Sequence, residues 1–96
     1  MNISKKAAHY LKNTDIDFAT FSILDIAVQD KDNAVLILAP INPNVDRYFF
    51  TQYKGKKCGF ESIERMMSVL VECRHINRFY ADRLIEKYNK TIQGGF

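Results

Sequence analysis

Few side chains in this 96-residue chain could do chemistry, and their spacing limits what each could do. Cys73, Arg74 and His75 are consecutive, and nucleophilic catalysis wants a thiol within hydrogen-bond reach of such an imidazole. Two positions apart on a helix, however, Cys73 and His75 point roughly 160° from one another and form no dyad. The expectation is Cys73 in the core and His75 at the surface. Glu72 and His75 have the Glu-x-x-His spacing of helical di-iron sites, which need a second such pair and two further glutamates from other helices. The chain supplies neither. Its two cysteines and two histidines, at 9, 58, 73 and 75, also lack zinc spacing. Asp30, Lys31, Asp32 and Asn33 lack the glycine and closing glutamate of a calcium loop and read as a turn. No metal and no cofactor is expected.

Cys58 follows Lys56 and Lys57 and precedes an expected helix start, a setting that can activate a thiol. An ordinary unpaired cysteine is the simpler reading, and in a reducing compartment neither Cys58 nor Cys73 would be bridged. A nuclease built on two acids and a lysine would place acids on adjacent strands with a lysine two positions after one of them. Asp15, Asp17 and Asp25 do not meet that pattern. Asp25 is expected on the open face of a sheet; a cleft that put it beside a His or Lys would reopen an enzymatic reading. Otherwise no enzyme is expected.

Anion binding has one candidate. Lys54, Gly55, Lys56, Lys57, Cys58 and Gly59 form a basic, glycine-flanked stretch before a helix, without the spacing of a phosphate-binding loop. Arg74 and Arg78, one helical turn apart, could extend it, whereas Arg65, Arg83, Lys87 and Lys90 fall on nearly the opposite side among Glu61, Glu72 and Glu86. Rings at Tyr48, Phe49, Phe50 and Tyr53 could stack on bases, although alternate strand residues must also fill the core. Charge is uneven along the chain: four lysines against six aspartates in residues 1–46, and ten Lys or Arg against five acids in residues 47–96. Such asymmetry suits nucleic acid or an acidic partner, and equally ordinary solvation.

Those residues must be held by a small set of elements. Ile3, Ala7, Tyr10 and Leu11 share one face of a short N-terminal helix, which Asn13, Thr14 and Asp15 would stop. Residues 18–29 are rich in Phe, Ile and Val and read as a strand. A helix competes there, because Thr14 and Asp17 resemble a capping box and Phe18, Phe21, Leu24 and Val28 suit a helical face. The polar turn 30–33 leads into an uncharged strand over 34–39, ended by Pro40. Residues 41–44 have turn chemistry, and 47–53 should return as a third strand.

From 59 to 91 the chain reads as helix. Ile63, Met66, Leu70, Cys73, Asn77, Tyr80, Leu84 and Tyr88 follow at steps of three and four, the seam of a heptad. About thirty helical residues span about 45 Å, whereas a seven-residue strand spans about 23 Å. Either the helix breaks at 74–77, or its distal half projects and finds another surface.

The fold expected is α+β: a short N-terminal helix, a three-stranded antiparallel meander and a long C-terminal helix with a possible break near Asn77. Residues 1–92 would form one domain and 93–96 a flexible tail. The order helix, three strands, helix resembles that of double-stranded RNA-binding domains. The loop lacks the closely packed lysines that open the last helix of that family, so no residue role is carried across. The longest uncharged apolar run, 34–41, is too short to span a membrane, no signal-peptide pattern appears, and a cytoplasmic location is expected.

For function, the expectation is a small non-enzymatic regulatory or adaptor protein, of the size common among accessory factors of phages and mobile elements. It would bind itself as a homodimer, and an unidentified protein, through Cys73, Asn77, Tyr80, Leu84 and Tyr88. The alternative is a nucleic-acid-binding protein using Lys54, Lys56, Lys57, Arg74 and Arg78.

Overall fold

The computed structural model describes residues 16–17, 19–45 and 47–94, the last three as backbone only. The short N-terminal helix expected from Ile3, Ala7, Tyr10 and Leu11 lies outside the described residues. The chain is α+β, with four strands and two helices among the described residues: β1 (Phe21–Val28), β2 (Ala34–Pro40), β3 (Phe49–Tyr53), β4 (Lys56–Phe60), α1 (Ile63–Glu72) and α2 (Arg78–Gly94). The strands form an antiparallel meander in the order β1-β2-β3-β4, so β1 and β4 are its edges.

The fourth strand corrects the expectation of three. Lys56, Lys57 and Cys58 are not a loop: Tyr53 pairs with Lys56 across a two-residue turn at Lys54 and Gly55, whose φ angles are 48° and 80°. Positive φ at both central positions matches the twist of a tight hairpin, and Gly55 adopts it without steric cost.

The long helix is broken at 74–77, the first of the two alternatives that its length left open. Glu72 ends α1, and Cys73, Arg74 and His75 close it: the Arg74 N–H donates to Val71 O at 3.0 Å and the His75 N–H to Leu70 O at 3.0 Å. This pair of bonds is a Schellman closure, and its left-handed position is Arg74, at φ 61°, where glycine is usual. Asn77 then caps α2, its Oδ1 accepting the Tyr80 N–H at 2.8 Å. At the other end α2 continues to Gly94, past residue 93 where a flexible tail was expected.

Both helices pack on one sheet face. Val35, Ile37 and Ala39 of β2 meet Phe49, Ile63, Met66, Met67, Leu70, Ala81, Leu84 and Tyr88 in one buried cluster, with the Phe49 and Tyr88 rings edge to face at 5.0 Å. Ala81, Leu84 and Tyr88 recur at steps of three and four, so the distal half of the seam faces the protein's own sheet. On the opposite face, Leu36 and Leu38 are 2% and 1% exposed, Phe21 meets Phe50 edge to face at 5.0 Å, and Ile26 and Phe50 are half-buried. Burial of six successive residues from Val35 to Pro40 explains why β2 shows no alternation.

Candidate functional site

Most of the residues singled out by sequence converge on one end of the molecule and on the free edge of β1. The meander and the two antiparallel helices bring turns 29–33, 54–55 and 73–77 to the same end. His75 fastens them. Its Nδ1 lies 3.1 Å from Gln29 Oε1, its carbonyl accepts from Gln29 Nε2 at 2.9 Å, and its ring meets Tyr53 edge to face at 4.7 Å. His75 is therefore half-buried and structural, while Cys73 is exposed, the reverse of the expected core Cys73 and surface His75. The seam was drawn on through Cys73 as helix interior, but Cys73 is the C-cap of α1, its N–H still donating to Val69 O, and the chain turns away directly after it.

Between this clasp and β1 lies an open groove of about 800 Å3, lined by Ile26, Ala27, Val28, Val71, Arg74, His75, Ile76, Asn77, Arg78 and Tyr80. Its floor is aliphatic and its rim carries two arginines and no carboxylate. Arg78 is paired with Asp82 on its own helix at 3.3 Å, with both side chains 61% exposed. Arg74 makes no ion pair among the described residues. Val28, at 43%, and Tyr80, at 36%, are exposed on the groove, and beside Tyr80 stands Phe79, 72% exposed.

Farther along β1 a β-bulge inserts Leu24: Ile23 pairs with Leu38 and Asp25 with Ile37, leaving Leu24 extra. A bulge resets the alternation of a strand. Ile23 thus shares a face with Leu38, whereas Asp25 shares one with Ile37 in the helix-covered core. This corrects the expectation that Asp25 stands on the open face. Asp25 lines a second groove, of about 660 Å3, with Phe79, Tyr80, Arg83, Lys87 and Lys90, so a lysine is indeed near it. Lys87 Nζ donates to the Leu24 carbonyl at 3.2 Å, and Asp25 Oδ2 is buried without a hydrogen-bond partner among the described residues.

The expected interface residues are dispersed. Asn77 and Tyr80 line the first groove and exposed Cys73 sits just before it, but Leu84 and Tyr88, 5% and 8% exposed, belong to the core. Of the expected basic set, Lys54, Arg74 and Arg78 lie at the clasp end, with Lys54 Nζ 5.4 Å from the Tyr53 ring centre. Lys57 turns to the opposite sheet face, its Nζ 4.5 Å from the Phe50 ring centre, and Lys56 is exposed on the β4 edge. Cys58 is an exposed strand residue opposite Thr51 rather than a residue at a helix start. Sequence reasoning missed Val28, Ile76 and Phe79 as surface features; Phe79 alone carried a signal, because it fell off the seam.

No group of His, Cys, Asp and Glu among the described residues is arranged to hold a metal ion, and no described helix is long and apolar enough to cross a membrane. Compared with protein-family models, curated proteins and solved structures, the chain matches none.

Proposed function

We propose that this chain is a small non-enzymatic regulatory or adaptor protein that acts by binding another protein, through the groove between β1 and the start of α2. The observation that carries this reading is a groove of about 800 Å3 lined by five aliphatic residues with Tyr80 exposed on it, next in the chain to Phe79, which is 72% exposed. Large apolar side chains held at the surface around a concavity favour a macromolecular partner. Self-association through the full seam loses two of its five residues, Leu84 and Tyr88, to the core, so a second copy would have to use Tyr80 and Phe79 instead.

The nucleic-acid reading keeps one favourable observation: the Tyr53–His75 contact brings the turn that holds Lys54 to the end of the molecule that carries Arg74. The two readings part by salt. Phosphate-driven binding falls steeply between 50 and 200 mM salt, whereas an apolar contact barely responds. Labelled single-stranded DNA, RNA and duplex oligonucleotides, titrated by fluorescence anisotropy at both salt levels beside a light-scattering mass, test this directly. The protein-binding reading expects no oligonucleotide affinity near physiological salt. Tight, salt-steep binding that is lost in a Lys54→Glu, Arg74→Glu double variant would replace it with the nucleic-acid reading.

A further inference from the structure

We propose that the groove beside β1 takes an extended segment of a partner protein that carries an aromatic or aliphatic side chain next to one or more carboxylates. The inference rests on the protein-binding reading above and names the ligand's chemistry. Apolar complementarity comes from Ile26, Ala27, Val28, Val71 and Ile76, which line the groove with no acidic residue among them. Charge complementarity comes from Arg74 and Arg78 on the rim. Arg74 is the sharper of the two. It is exposed, makes no ion pair among the described residues, and occupies a left-handed backbone position that glycine would fill with less strain. Strain kept at an exposed arginine whose side chain makes no ion pair among the described residues points to a use for its guanidinium, and carboxylate is the partner its forked donors match.

The edge of β1, unpaired among the described strands, suggests strand addition as an alternative mode, but its backbone is partly occupied. The Leu24 carbonyl accepts from Lys87, the Ala27 carbonyl accepts from Gln29 Nε2 at 3.1 Å, and the bulge at Leu24 bends the edge. Edges blunted in this way resist pairing with another strand. The segment is therefore held by its side chains, with the apolar group seated against Val28 and Tyr80 and the carboxylate at Arg74.

The test is selection of random twelve-residue peptides, displayed on their own messenger RNA, against the immobilised full-length protein. Enriched peptides are then titrated against the parent, Arg74→Gly and Tyr80→Ser. The expected result is enrichment of peptides combining Phe, Leu or Ile with Asp or Glu. Arg74→Gly should weaken them about threefold or more and Tyr80→Ser about tenfold, and raising salt from 50 to 300 mM should cost about threefold. Each variant must retain the parent's cooperative unfolding. Enriched peptides that bind all three proteins equally would leave protein binding standing and overturn the groove. Enrichment of basic peptides, or none above blank beads, would overturn the proposed ligand chemistry.

Discussion

Arg74 and Asp25 each break a local rule, and each break has a measurable consequence. A non-glycine residue in the left-handed region costs about 1–2 kcal/mol, partly offset by the greater freedom glycine has when unfolded. Arg74→Gly is therefore expected to raise stability by about 0.5–1 kcal/mol in urea unfolding while it weakens the groove. Asp25 Oδ2 is buried without a partner, a condition that costs about 1–3 kcal/mol. Asp25→Val replaces it with a side chain suited to a strand and to its neighbour Ile37, and the urea midpoint should rise by an amount worth about 1 kcal/mol or more. A lower midpoint would mean that the carboxylate has a partner. Neither residue was legible for what it is. Arg74 read as a helical cation because helical pitch was carried across the break, and Asp25 read as outward-facing because a bulge leaves no mark in residue types.

Strand and helix identity was mostly readable, and the misses have physical causes. Burial along β1 falls at Phe21, Leu24 and Ala27, a step of three that comes from the bulge and imitates a helix. The Lys54-Gly55 hairpin was hidden because lysine is an unusual first residue for a turn that prefers Asn or Asp. Length alone allowed either a helix break or a projecting distal half, and the structure has the break. Its exact place follows from Asn77, whose side chain caps the next helix instead of setting a register between paired helices. Two expectations belong to these elements. Leu84→Ala should cost about 2–4 kcal/mol in urea unfolding, as truncation in a core does, whereas Phe79→Ser should stay within about 0.5 kcal/mol. The β1–β2 turn should weaken in acid. The N–H of Asp32 and the side-chain amide of Asn33, followed by the Asn33 N–H, hold the Asp30 carboxyl below its usual range. A group lowered in the folded state contributes stability above its unfolded value and loses it as pH falls through the folded one. The melting temperature should therefore drop as pH falls below about 4, and Asp30→Ser should remove part of that drop.

At the scale of the whole molecule, the sheet, the two helices and the clasp at His75 have one joint effect: they leave β1's edge beside the first turn of α2 as an apolar recess with a cationic rim. The α+β class and much of the core could be read from sequence: of Leu24, Ile26, Leu36, Leu38, Phe50, Met66 and Leu70, the residues expected in it, all are buried but Ile26 and Phe50, which are half-buried. The recess could not. It depends on where the helices turn back, and residues far apart in the chain, Val28, Arg74 and Tyr80, meet only after that turn is made. The same folding back places Tyr88 in the core, where burial raises its phenol above the ordinary value. Its contribution is full below the unfolded value and is lost as pH climbs through the folded one, so stability should decline at pH above about 10, and less so in Tyr88→Phe.

A protein partner seated in this recess would be trapped by photo-crosslinking in cells that express the chain. Benzoylphenylalanine replaces Phe79, the chain neighbour of the recess residue Tyr80, in one sample and Tyr48, an exposed ring at the opposite end of the sheet, in another. The expected result is a discrete protein adduct from position 79 that weakens in an Arg74→Gly background and is missing from position 48. Adducts to nucleic acid, identical adducts from both positions, or no adduct from position 79 would contradict it.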